Sequence, residues 1–223
     1  MAAFLANVGV NAGHAARSPL FADGSFALLP IPEAQAWRHP MLRLGDLTGL
    51  EEHAPKSWRE RAVHVDPDLD SSPPTYGDNC RRAGRAFTLR RAQSGDLIVF
   101  LARLHSAARA GFYLVGCLEV DAVLPDVTSD PGSGWWDANA HVRRARASHH
   151  YWDSFWVFRG SPRSRRFARA IPFTRHETRR AFGADAWRWR KHRTDLQTIG
   201  SYTRAVRRVE GQGEEWLRAI CQS

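Results

Sequence analysis

The polar groups that could act on a substrate fall into four short stretches. The first is Asn7-Val8-Gly9-Val10-Asn11-Ala12-Gly13-His14. Glycine lets a backbone approach a ligand closely, and asparagine offers both a donor and an acceptor. The stretch has neither the GK[ST] of a Walker loop nor GxGxxG, and a tight turn explains it as well as a binding loop does. The second is Thr75-Tyr76-Gly77-Asp78, with His64-Val65-Asp66-Pro67 upstream. Asp78 precedes a predicted helix, where aspartate is a preferred cap. The alternative is a carboxylate held for chemistry beside a helix N-terminus. The third runs from Trp135 to Arg144. Asn139, His141 and Arg143 alternate, so an extended backbone would turn all three to one face and offer hydrogen bonds to a base or sugar. Trp135 and Trp136 either stack on an extruded base or cover a core. The fourth is the basic pair SPRSRRFARA (161–170) and WRWRKHR (187–193). If 187–193 is helical, Arg188 and His192 share a face, as do Trp189 and Arg193.

Composition excludes some chemistry. The chain has 30 Arg but only two Lys, Lys56 and Lys191, each in a strongly charged neighbourhood. Imine catalysis needs a desolvated amine, so carboxylate-assisted hydrolysis fits the inventory better. Asp66, Asp68 and Asp70 alternate as calcium ligands do, but the Gly and Glu that complete an EF-hand loop are missing. The histidines form no HExxH, and His149-His150 with His141 are the nearest approach to a metal pair, so no metal or cofactor is expected. Cys80, Cys117 and Cys221 are odd in number and widely spaced, which implies no disulfide framework and a reduced, cytoplasmic protein. MAAFLANVGV lacks the basic start of a signal peptide and reads as a first strand, and no apolar run is long enough to span a bilayer.

Net charge is +9, and its distribution matters more than its sum. Residues 1–140 carry a net −3, 141–208 a net +14 and 209–223 a net −2. A GC-rich genome would favour Arg over Lys but would spread it evenly. A basic block with interleaved aromatics is the footprint of a nucleic-acid binder, because guanidinium grips phosphate in a bidentate way and stacks on bases. A solvated basic face, or a surface for an acidic protein, has the same composition.

The elements that must hold these groups are strands first, then helices. Strands are expected at Phe4–Val10, Phe26–Leu29, Leu97–Leu101, Gly111–Val120, Phe155–Phe158 and Arg169–Phe173, with the two long central ones adjacent in one sheet. Residues 66–78 read as a loop. Helices are expected over 33–44 and 79–91, where Cys80, Ala83 and Phe87 form an apolar stripe, and over 177–192, 201–209 and 213–221. This order implies an α+β fold with a central mixed sheet, inserted helices and a basic C-terminal helical region. We read 1–223 as a single domain, with a sheet-containing body of about 1–173 and a helical annex of about 174–223.

NVGVNAGHAARSPLFADGSFALLPIPE (7–33) resembles the opening of the third family of nucleotide-modification-associated domains. The likeness continues at HVDPDL (64–69), TYGD (75–78), GDLIVFLARL (95–104), NAHVRR (139–144) and VFRGSPRSRRFARAIPF (157–173). The sheet pair GDLIVF and FYLVGCLEV is also similar to PUA-like and EVE domains, which hold flipped modified bases. The resemblance implies work on hypermodified DNA bases: excision of a glucosylated hydroxymethylcytosine from phage DNA after base flipping, leaving an abasic site. On that expectation Asp78 is the carboxylate that stabilises the oxocarbenium-like sugar, with Asp66 as its alternate. Asn7, Asn11, Asn139 and His141 hold the leaving base or its sugar. Tyr76 or Trp136 stacks on the extruded nucleotide. Arg143, Arg144, Arg163, Arg165, Arg166, Arg188 and Arg190 grip phosphates. DNA is the expected partner, with no membrane and no obligate protein partner. A non-catalytic reader of modified bases would use the same pocket.

Overall fold

The computed structural model describes residues 1–10, 13–33, 42–82, 84–148 and 151–223, with the side chain of His64 left aside. Asn11, most of the helix expected over 33–44, and His149-His150 lie outside the described residues.

The chain runs β1 (Ala3–Val8), β2 (Ile31–Pro32), β3 (Val63–His64), β4 (Thr75–Asn79), β5 (Leu97–His105), β6 (Ala110–Val127), α1 (Ala140–Ala147), β7 (Phe155–Gly160), β8 (Arg165–Pro172), α2 (Arg175–Phe182), α3 (Asp195–Tyr202), β9 (Arg207–Val209) and α4 (Gln212–Gln222). Among the described residues, seven strands form one sheet in the order β4-β7-β6-β5-β1-β9, with β8 also paired to β6. β1 and β5 are parallel and the other pairs antiparallel, so the architecture is α+β around a mixed sheet. No helix among the described residues is long and apolar enough to cross a membrane.

The central strands form where apolar residues run without a break. Leu97, Val99 and Leu101 of β5 enter one buried cluster, and Ile98, Phe100, Ala102 and Leu104 enter another. Such a run, covered on both faces, has period two with no polar side. The first cluster also holds Trp187, Ile199 and Leu217, so the C-terminal helices cover that face. The second holds Tyr76, Phe100, Val115 and Phe158 and faces the loops of the N-terminal half.

Five expectations fail locally. The strand expected over Phe26–Leu29 is reduced to a single bridge between Leu20 and Phe26. Residues 75–78 are not loop: with Asn79, expected to open a helix, they form an edge strand paired to β7, with Asp78 opposite Trp156. Asp78 therefore caps no helix. Residues 79–91 are not α-helical as expected: beyond Asn79 the described residues turn and form a 3₁₀ segment over Phe87–Arg91. A 3₁₀ segment repeats every three residues, so Ala86, Leu89 and Ala92 are buried and Phe87 is exposed. The helix expected over 177–192 stops at Phe182, where Gly183 has φ +95°. Residues 187–193 are instead pinned by Trp187, whose ring stacks on Tyr202 at 4.9 Å and Phe182 at 5.0 Å. Residues 207–209, expected as helix, are β9 and pair with β1.

Candidate functional site

β4 is the edge strand on which the candidate residues meet. Its outward Thr75 N–H donates to the Asp68 carbonyl, and the Asp68 N–H returns to Thr75. The next outward donor, Gly77 N–H, is taken by Asp66, whose Oδ1 and Oδ2 lie at 3.1 and 3.0 Å. Asp66 thus closes a sheet edge that would otherwise leave a buried amide unpaired. The same carboxylate accepts from His141 Nε2 at 3.0 Å, with side-chain exposures of 5 % for Asp66 and 10 % for His141. An ionised carboxylate only accepts, so Nε2 carries the proton.

His141 reaches Asp66 from behind β4. Gly77 lies opposite Val157, on the face that packs against α1, and His141 and Asn139 fill the space a side chain there would need. Asn139, His141 and Arg143 do not alternate along an extended chain. Asn139 is the N-cap of α1: its side-chain oxygen accepts from His141 N at 3.0 Å while its amide donates to Thr75 Oγ1 at 3.1 Å. Arg143 follows on the exposed side of α1.

Tyr76 and Asp78 occupy the front of β4. Asp78 is buried; its Oδ2 accepts from Tyr76 Oη at 2.6 Å and Arg85 Nη2 at 3.1 Å, and its Oδ1 from Asn79 N at 2.8 Å. Burial, then the Asp78 charge, push the Tyr76 phenol well above its ordinary range, so it stays a proton donor. Burial works against the Arg85 cation, but Asp78, Tyr76 and Asp66 outweigh it and hold the guanidinium protonated. Arg85 also donates to the Asn7 carbonyl at 3.3 Å, so one guanidinium ties β1 to β4.

A cleft of about 40 Å³ opens on this front face, lined by Asp66 with Gly9, Leu28, Val65, Leu69, Phe100 and Arg166. It is the size of one or two water molecules. Asp66 lines it; Asp78 does not.

The remaining assignments separate. Tyr76 is not an open stacking ring: it is core, 5.0 Å edge-on to Phe100 and stacked on Phe158 at 6.3 Å. The Asn7 amide turns away and donates to Thr203 Oγ1 at 3.4 Å. Trp136 folds onto its own loop, donating to the Gly132 carbonyl and packing edge-on to Trp135. Arg144 is held by Asp153 at 3.2 Å and stacks over Tyr151. Arg163 pairs with Glu119 at 2.6 Å. Arg165 and Arg166 are neighbours on β8 and so point to opposite faces: Arg165 to the Ile220 carbonyl and Phe167, Arg166 to the cleft and Asp70. Arg188 and Arg190 flank Trp189 in the helical layer, across the sheet from Tyr76. The three alternating aspartates diverge too: Asp66 to His141, Asp70 to Arg166, and Asp68 to the turn at Asp70 and Ser71.

Gly77 and Arg85 had no role in the sequence reading. A glycine among buried strand residues was the available signal for the first, because it marks a close approach by a neighbour. Nothing local marks Arg85 out from Arg81 and Arg82.

No curated protein and no solved structure shows significant similarity to the chain. Residues 3–218 match a family described as nucleotide modification associated domain 3, a span that takes in the C-terminal helices as well as the sheet. The chain belongs to that family, whose members work with modified nucleotides.

Proposed function

We propose that this chain is a DNA glycosylase that excises a modified cytosine, in the first instance glucosylated hydroxymethylcytosine of phage DNA. The observation that carries the reading is Asp66, a buried carboxylate oriented by His141 and the Gly77 N–H and lining a water-sized cleft. Hydrolysis needs those parts. As the bond between C1′ and the base nitrogen breaks, the pair of electrons leaves with the base and the sugar takes on oxocarbenium character. A carboxylate stabilises that charge and takes the proton of the water that adds to C1′. The reacting role therefore goes to Asp66, with Asp78 holding Tyr76 and Arg85 in place.

On this reading the cleft houses the water, and the flipped base is received at its rim, where Val65 is exposed. Arg166 closes the side of the cleft in an ion pair with Asp70. Both partners are largely solvated, so the pair is worth about 0–1 kcal/mol and gives way readily to a phosphate. Arg143 and Arg163 are exposed and supply further cations. Body and annex act as one unit, because Trp187, Ile199 and Leu217 share a core with Leu5 and Leu101.

The test is to incubate purified protein with a duplex carrying glucosylated hydroxymethylcytosine and to cleave abasic sites with alkali. Base release in proportion to enzyme is the expected result. Tight binding with no release at any enzyme concentration would remove the catalytic reading and leave a reader of modified bases.

A further inference from the structure

Residues 81–91 hold five arginines, Arg81, Arg82, Arg85, Arg90 and Arg91, and no acidic residue. The net −3 of residues 1–140 hides them, because acids elsewhere outweigh them. The segment is firmly seated: Cys80, Ala86, Leu89 and Ala92 are buried in the same core cluster as Tyr76 and Phe100. The spacing of three between Ala86, Leu89 and Ala92 follows from the 3₁₀ turn and leaves Phe87 and Arg90 together on the outside. Arg85 turns inward to Asp78. The other four arginines are exposed, and among the described residues none is paired with a carboxylate.

Phe87 is 42 % exposed among these cations. The Arg90 guanidinium lies 5.6 Å from its ring centroid and 5.4 Å from that of Trp156. Trp156 stands opposite Asp78 on β7, so this platform is on the carboxylate face of the sheet, not on the helical face with Arg188 and Arg190.

We propose that the exposed side of 81–91 is the surface that grips duplex DNA, with Arg81, Arg82, Arg90 and Arg91 on phosphates and Phe87 wedged into the stack beside the extruded nucleotide. The proposal rests on the reading that this chain acts on a base in DNA. Four exposed guanidiniums with no carboxylate partner among the described residues suit phosphates, and an apolar ring held among them by a seated turn suits a side chain that enters a base step. The +14 third of the sequence is then not the principal grip: Arg165, Arg188 and Arg190 are on the other face.

The experiment is fluorescence anisotropy of the full chain with an unmodified 20-base-pair duplex, titrated across salt concentrations. Arg81→Gln/Arg82→Gln and Arg90→Gln/Arg91→Gln should each weaken binding at least ~10-fold at 0.1 M salt and lower the log–log salt slope by about 2, as loss of two phosphate contacts requires. Arg81→Lys/Arg82→Lys should recover most of the slope, and Arg188→Gln/Arg190→Gln should change affinity less than ~3-fold. In a second duplex carrying glucosylated hydroxymethylcytosine, the wild type should raise the fluorescence of 2-aminopurine placed beside that base, and Phe87→Ala should abolish the rise. Platform variants that bind like the wild type, with unchanged melting temperatures, would overturn the proposal, as would an equal loss in the Arg188/Arg190 variant. An undiminished 2-aminopurine signal in Phe87→Ala would overturn the wedge. A wild type that binds both duplexes through these residues but releases no base from the one carrying glucosylated hydroxymethylcytosine ends the glycosylase reading and leaves this surface standing.

Discussion

His141 occupies the place of a missing side chain on Gly77: a Cβ there would stand 2.5 Å from His141 Cδ2 and 3.1 Å from Asn139 Oδ1. The glycine is what lets α1 close on β4 and bring an imidazole to Asp66. Gly77→Ala should therefore push His141 off Asp66, lower base release along with His141→Ala, and cost about 1–3 kcal/mol by overpacking. In a His141→Gly background the same substitution should cost under ~1 kcal/mol, because the 2.5 Å clash is gone and only Asn139 Oδ1 at 3.1 Å is left to yield. Melting curves of the four proteins in this cycle check it; full additivity would show that the two residues do not compete for the space.

The two carboxylates should separate by variant. Asp66→Asn keeps the shape, loses the charge at the cleft, and should reduce single-turnover base release by ~10²–10⁴. Asp78→Asn weakens the acceptor shared by Tyr76 and Arg85 and should cost about 1–3 kcal/mol of stability, with activity kept within ~10-fold. The reverse pattern would return the reacting role to Asp78.

Arg165 and Arg166 should likewise differ although adjacent. Arg166→Ala should weaken DNA binding and leave the melting temperature nearly unchanged, since its partner Asp70 is 67 % exposed. Arg165→Ala should do the opposite, because its guanidinium lies over the Phe167 ring and donates to Ile220 O. Paired binding and melting measurements on the two variants decide it.

Stability should carry an acid dependence from α2. Burial opposes ionisation of Glu177, but hydrogen bonds from the Thr174 hydroxyl, His176 and the Thr174 N–H outweigh it and hold the carboxyl down at about 2. A carboxyl lowered on folding stabilises above its unfolded value of 4.5, and that contribution is lost as the pH falls toward about 2. Glu177→Gln should cost about 1 kcal/mol at pH 7, as loss of half a capping box does, and nothing once the pH is well below the folded value of about 2. Thermal melts of both proteins at pH 7, 4 and about 1 test it, the last lying below the folded value; a difference that persists undiminished there would assign the effect to shape rather than charge.

The strands legible in the sequence are those whose own composition demands burial. Leu97–Leu101 and Gly111–Val120 lie within β5 and β6, which pair antiparallel, and 213–221 lies within α4. HVDPDL and TYGD also bring together two carboxylates that are neighbours in the fold, since Asp66 and Asp78 both bear on Tyr76 and Arg85. What was misread needed a distant partner. TYGD looks like a loop because its edge amide is satisfied by the side chain of Asp66, eleven positions upstream, rather than by a neighbouring strand. The alternation of Asn139, His141 and Arg143 was real, but the N-cap bond at Asn139 turned it into the first turn of a helix.

By itself, then, the sequence determined the α+β class, the central strand pair, the family resemblance and a short list of chemical groups, because periodicity and composition act between near neighbours in the chain. Only the tertiary structure decided that Asp66 and not Asp78 lines the cleft, that Gly77 yields its space to His141, and which arginines share a face with the carboxylates. Each of these depends on which side of a strand a residue falls on and on which strand lies beside it, and pairing between β4 and β7, some eighty positions apart, is settled by the packing of the whole sheet.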